Sequence, residues 1–230
     1  MAAFRRRYRA EEIPEGYSGR RHLAFTVFTC LGVIALAFYQ LEGVRPAEWL
    51  TVPLTFLYAN LAEYLGHRGP MHHPVRGLEL LFRRHTGQHH HFFTHQSMAL
   101  EQTGDYRAVL FPAVMILFFL VGFALPVWLI LVWAFSANVA WLFVATAVAY
   151  FLNYEVLHFA YHAPPDSRVG RLPMVARLGS LHRAHHDPRL MQQANFNVTY
   201  PLGDWLFGTL RRADDTAPQA TTPPGRSPAP

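Results

Sequence analysis

Thirteen of the chain's fourteen histidines fall in two short windows, His67 to His95 and His158 to His186, and only His22 stands apart. Neutral imidazole is the side chain that divalent first-row metals most readily take, so clustering on this scale points to metal chemistry. Spacing says which histidines could act together. His158 and His162 are four apart at the end of an apolar run, one helical turn on one face, and can address the same ion. His182 and His185 are three apart and on a helix would share a face, with His186 diverging toward a second ion. Upstream, His67 and His72 are five apart, and His85 and His89 are four apart with His90 following.

These ten imidazoles are too many for one first-row ion, which takes roughly four to six ligands, so the count predicts two ions with positions left for water or dioxygen. His73, His91 and His95 exceed the repeating pattern, and spacing assigns them no role. Several triples can be drawn among His85, His89, His90 and His91. His22 reads as a polar cap at a membrane interface. Glu63 lies one turn before His67 and is expected to hydrogen-bond a ligand histidine and fix its tautomer, and Glu155 is a candidate for the same part.

The elements that must carry these residues are apolar. Half of the chain, 51%, is hydrophobic and only 15% is charged, with long runs carrying no charge at all, the pattern of segments immersed in hydrocarbon. Four spans are expected, at about 23–41, 49–65, 108–130 and 139–159, with Pro126 and the Ser136, Ala137, Asn138 group marking the turn between the last two. Residues 1–21 read as a basic cytosolic tail, 22–212 as a single membrane domain, and 213–230 as a disordered C-terminal tail poor in apolar residues. No cleavable signal peptide is expected, because the first apolar run is long and lacks a small-residue cleavage site.

The net charge of +5 comes entirely from arginine, since the sequence has no lysine. Placing residues 1–21, the 66–106 loop and everything after His158 in the cytosol puts 18 of 20 arginines there, with Arg107 at the very edge of the loop and Arg45 outside. It also puts both histidine windows on one side. The arginines flank apolar runs and form no nucleic-acid motif, so anionic lipid headgroups are their expected counterpart and nucleic acid is not. Cys30, the only cysteine, excludes an internal disulfide, a cysteine-ligated iron–sulfur cluster and a Cys-based zinc finger, and reads as a small buried residue. A zinc-protease HExxH is absent, because Phe159 follows His158. Bis-histidine haem would need histidines at mid-depth in paired helices.

The order His-x4-His (His67, His72), His-x3-His-His (His85, His89, His90), His-x3-His (His158, His162) and His-x2-His-His (His182, His185, His186) resembles the fatty acid hydroxylase/sterol desaturase superfamily. The segment NFNVTYPLGDWLFGT, Asn195 to Thr209, is similar to that family's region after the last histidines. The resemblance covers about residues 49–210. It implies an all-α integral membrane protein, four transmembrane helices under a cytosolic histidine-rich helical cap, in a bacterial inner membrane with both termini and the active site cytosolic. It further implies that the ten histidines bind two non-haem irons, and that dioxygen and electrons from a separate electron-transfer protein serve to hydroxylate or desaturate a membrane lipid. Purification can exchange the iron for zinc. A fused cytochrome b5 domain, which some relatives carry, is not expected in these 230 residues. Fatty acyl, sterol-like and carotenoid substrates stay open, as do regiochemistry and oligomeric state. The alternative from another class is a histidine-rich membrane protein that binds or transports metal without oxygenase activity.

Overall fold

The computed structural model describes residues 1–211, so the stretch 213–230 expected to be a disordered tail lies outside the described residues. Among those described, the chain is helical throughout, with one isolated β-bridge between Thr94 and Ser97. In chain order the main helices are α1 (Ala2–Glu11), α2 (Gly19–Tyr39), α3 (Thr51–Gly66), α4 (79–92), α5 (113–134), preceded by a single turn at Tyr106–Val109, α6 (Ala137–Tyr161), α7 (Pro173–His185) and the short α8 (Leu202–Leu206). Two of these are composite. In α4 the turns Glu79–Phe82 and His90–Phe92 flank a π-helical Arg83–His89, and in α5 Ala113–Leu117 and Leu125–Ala134 flank a π-helical Phe118–Ala124.

Three helical stretches are long and apolar enough to cross a membrane: Gly19–Tyr39, Thr103–Ala134 and Ala137–Tyr161. They match three of the four expected spans. The remaining one, 49–65, falls on α3, which at 16 residues is shorter than the ~20 a bilayer core requires. A 3-10 turn, Pro46–Leu50, precedes α3 and a π-helical turn, His67–Met71, continues it. The turn between the last two spans falls at Phe135 and Ser136, and Ser136 caps α6 by accepting from the Val139 amide. Pro126 does not break α5. It sits directly after the π segment, where the loosened ladder tolerates the donor that proline lacks.

α6 is the central helix, packed on α2, α3, α5 and α7. Its contact with α2 uses small side chains, Cys30 and Ala37 against Ala147 and its neighbours, which lets the backbones approach closely. Cys30 is buried and free, as expected. The outward faces remain apolar, with Phe28 72% and Trp133 88% exposed, which suits a lipid surround and not water.

The first 21 residues depart from the expected tail. They include α1, whose Arg5 and Tyr8 are buried. Arg9 pairs with Asp105 and Glu101, so charges that look solvated in the local sequence are absorbed by acids about ninety residues away.

Candidate metal centre

All ten motif histidines are buried and converge where the C-terminal end of α3, the α4 helix, the end of α6 and the end of α7 meet. They form two sets. His67, His72, His85, His90 and His185 present ring nitrogens within 4.8 Å of one another, and so do His89, His162, His182 and His186. His158 joins the second set, its Nε2 lying 3.1 Å from that of His89. The sets adjoin, with the His90 and His186 rings stacked at 4.3 Å between centroids.

Local helix geometry explains this allocation. Residues five apart on an α-helix diverge by about 140°. In π-helical turns, whose bonds run i→i+5, they return to nearly the same side. His67 and His72 straddle one such turn and His85 and His90 another, so each pair can share a set, while the partners across the site, His158, His162, His182 and His186, take His89 into the other. On the regular helix α7, His182 and His186 are four apart and share the second set, while His185 faces the first. The expectation that His182 and His185 share an ion and His186 diverges is therefore corrected. Residues four apart on a helix differ by only about 40°, against about 60° for three, and the partners across the site decide the rest.

The tautomers are fixed by carbonyl acceptors, which cannot donate. His89 Nδ1 donates to the Ala108 carbonyl (2.9 Å), His162 to Met98, His185 to Ala194 and His186 to Phe93 (2.8 Å each), and His67 to Phe196. His72 Nδ1 donates to Thr86 Oγ1 (3.2 Å), whose own proton goes to the Met71 carbonyl. Each of these rings therefore turns a bare Nε2 lone pair inward. Yet His72 and His185 place those nitrogens 3.0 Å apart, and so do His89 and His186. No proton is left to sit between them. Two lone pairs at that distance repel unless a cation lies beside both, and ligands at right angles around an ion with bonds of ~2.1 Å stand ~3.0 Å apart. The donor set fits a first-row metal in each position.

Burial reinforces this. Desolvation, followed by repulsion among the rings, holds the imidazoles of His67, His85, His90, His162, His182 and His186 well below their ordinary pKa, and takes His72 to about 2. The neutral form is the one a metal binds.

The two carboxylates do something other than expected. Glu63 touches no histidine: it accepts from the Val198 and Thr199 amides, from Thr199 Oγ1 and from the Tyr150 hydroxyl. Glu155 accepts from the Phe111 amide at 3.3 Å. One turn on a helix gives proximity to a histidine but not direction, and both acids satisfy nearby backbone donors. His73 and His91 are exposed, His95 is half-buried, and none of the three belongs to either set. His22 bonds the Phe111 carbonyl through Nε2, outside the site.

Asp204 is the residue that spacing did not single out. Fully buried, it accepts from the Phe196 and Asn197 amides (2.9 and 2.7 Å) and from Thr209 Oγ1 (2.6 Å), folding 195–209 back so that Phe196 offers its carbonyl to His67. Its signal is a lone acid inside an apolar, aromatic stretch. Asp204→Ala strands two buried amides at about 1–3 kcal/mol each, so a stability loss of about 2–6 kcal/mol is expected, read by thermal unfolding, together with weakened metal at His67. An unchanged melting midpoint would contradict this role.

A cavity of about 280 Å³ runs between α3, α5 and α6, lined by Tyr58, Phe118, Phe119, Phe123 and Phe151 among others and reaching His67. A small void of about 20 Å³ lies beyond it against His85, His89 and His158. The two share Met71, Phe111 and Tyr154 as wall. The apolar cavity thus reaches the first histidine set at His67, and the separate small void beside it borders histidines of both sets.

No curated protein and no solved structure matches the chain. A family profile described as Fatty acid hydroxylase matches residues 52–209, which hold all ten histidines and the Asp204 segment. The chain belongs to the fatty acid hydroxylase family, within the fatty acid hydroxylase/sterol desaturase superfamily.

Proposed function

We propose that this protein is a non-haem di-iron oxygenase that uses dioxygen to hydroxylate or desaturate a membrane lipid. His67, His72, His85, His90 and His185 would hold one iron, and His89, His158, His162, His182 and His186 the other. The observation that carries this reading is the pair of facing, deprotonated Nε2 atoms in each set, His72 with His185 and His89 with His186. Iron supplies the oxidising power that attack on an unactivated C–H bond demands and no side chain possesses.

The chain's own residues supply position and dryness. The aromatic walls of the cavity would hold an acyl, sterol-like or carotenoid chain extended between α3 and α6 and exclude water from it. Met71, Phe111 and Tyr154 would steer that chain toward the histidines. In this reading α3, completed by the Pro46–Leu50 turn before it, is the fourth crossing, and the arginine distribution favours a cytosolic histidine end, where a separate electron-transfer protein could reach it. A metal-transport role would need polar groups along a route through the spans, and the cavity wall is almost wholly apolar.

Gently purified protein should carry two irons per chain, consume oxygen when given a reductant, and change the lipids of its host membrane by a gain of one oxygen or a loss of two hydrogens. Mass spectrometry of lipids with and without the protein reads the last. Full-rate product formation by metal-free protein would overturn the proposal.

A further inference from the structure

α1 and the second histidine set are joined by one irregular strip of chain, residues 93–98, between α4 and the loop that follows. We infer that Arg5, on α1, is a positioning residue for the second metal position alone. The inference rests on the two-metal reading above.

Arg5 is 4% exposed and spends its guanidinium on this strip. Nε donates to the Phe92 carbonyl and Nη2 to the Ser97 carbonyl, both at 2.9 Å, while Nη1 meets Glu101. Its carbon lies 4.9 Å from the centre of the Phe92 ring and 5.5 Å from that of Phe93. Both ends of the strip are therefore pinned by one side chain. Between those pins the strip serves the second set: the Phe93 carbonyl fixes His186, the Met98 carbonyl fixes His162, and the Phe93 ring packs on His162 at 4.0 Å. Groups that orient ligand imidazoles set their direction and basicity. The strip has no helix or strand of its own to hold its carbonyls in place.

The first set draws on different supports. His67 is fixed by Phe196, His185 by Ala194 and His72 by Thr86, none of which Arg5 touches. Other α1 residues do meet α4: Phe4 packs on His91, a ring outside both sets, and Tyr8 accepts from Arg84 next to His85, but neither contact involves Arg5. Arginine suits the task because its rigid planar fork spreads its donors over separately placed acceptors, whereas a lysine ammonium gathers its three donors on one atom. Removing it should not undock α1, since Arg9 keeps its bonds to Asp105 and Glu101.

The test is metal content of full-length protein in detergent during chelator competition, made in three backgrounds. In the wild type, Arg5→Ala should lower the affinity of one of the two ions by about 10–100-fold and leave the other unchanged. In His72→Ala, where only the second position is intact, it should release the remaining ion. In His162→Ala, where only the first is intact, it should do nothing. Arg5→Lys, which keeps the charge and part of the bonding, should fall between wild type and Arg5→Ala and serves should Arg5→Ala fail to fold. Arg5→Ala or Arg5→Lys protein with both ions held at wild-type affinity, or weakening of the first position in His162→Ala, would overturn the inference. A wild type that holds no metal would overturn the two-metal reading instead.

Discussion

His185→Ala is expected to empty the metal position built mainly by the upstream window, while the ion held by its own sequence neighbours His182 and His186 stays. His89→Ala should do the reverse. Each window sends one histidine across: His185 joins His67, His72, His85 and His90, and His89 joins His162, His182 and His186, with His158 beside it. Either single variant should lower product formation by at least about a hundredfold, since groups that only orient ligands already cost 10–100-fold in metal affinity or activity when lost. The double variants decide the allocation. His67→Ala with His185→Ala should still bind one ion, because both changes fall in one set, whereas His89→Ala with His185→Ala should bind none. Metal analysis showing one ion in the second case, or none in the first, would sink it. The crossing also gives a structural reason for the windows to fold together, because neither window alone supplies a full complement to either ion.

Why the sequence reveals the ten histidines but not their partition is a matter of helix type. Type and clustering pick out the residues, because imidazoles at this density have few other uses. Partition depends on azimuth, and azimuth depends on whether a turn is α or π. His85 and His89, four apart, look like an α-helical pair, yet Arg83–His89 is π-helical and His85 pairs with His90. Nothing local in RRHTGQHHH announces that choice. Three of the spans are similarly legible from unbroken hydropathy, and α3 lies where the fourth is expected, but nothing local shows that its Asn60 and Glu63 are buried against 197–203 from the far end of the chain. Arg5 and Arg9 give the same lesson. Their partners at Ser97, Glu101 and Asp105 are long-range, so no window of sequence distinguishes them from the exposed arginines beside them.

Removing the metal should make the protein strongly acid-labile, and the sign follows from the histidines. In the folded state burial depresses the pKa of His185 to about 4, of His89 to about 3 and of His72 to about 2, whereas in the unfolded chain each returns to ~6.5. Below ~6.5 the unfolded chain therefore takes up protons that the folded chain refuses. The stability these groups contribute is complete above the unfolded pKa and is lost as pH falls toward the folded values. At pH ~5.5 each group has cost on the order of 1 kcal/mol, so these three together cost a few kcal/mol, a large part of the ~5–15 kcal/mol that keeps a domain folded. His67, His85, His90, His162, His182 and His186 shift the same way and add to it. Metal-free protein in detergent should thus show a melting midpoint that drops steeply between pH 6.5 and 5, whereas metal-loaded protein, whose ions bind only the folded, neutral rings, should hold its midpoint to lower pH. Superimposable profiles with and without metal would contradict two ions held by these rings. A flat profile for the metal-free protein would mean that the imidazoles are not packed neutral against one another as the structure places them.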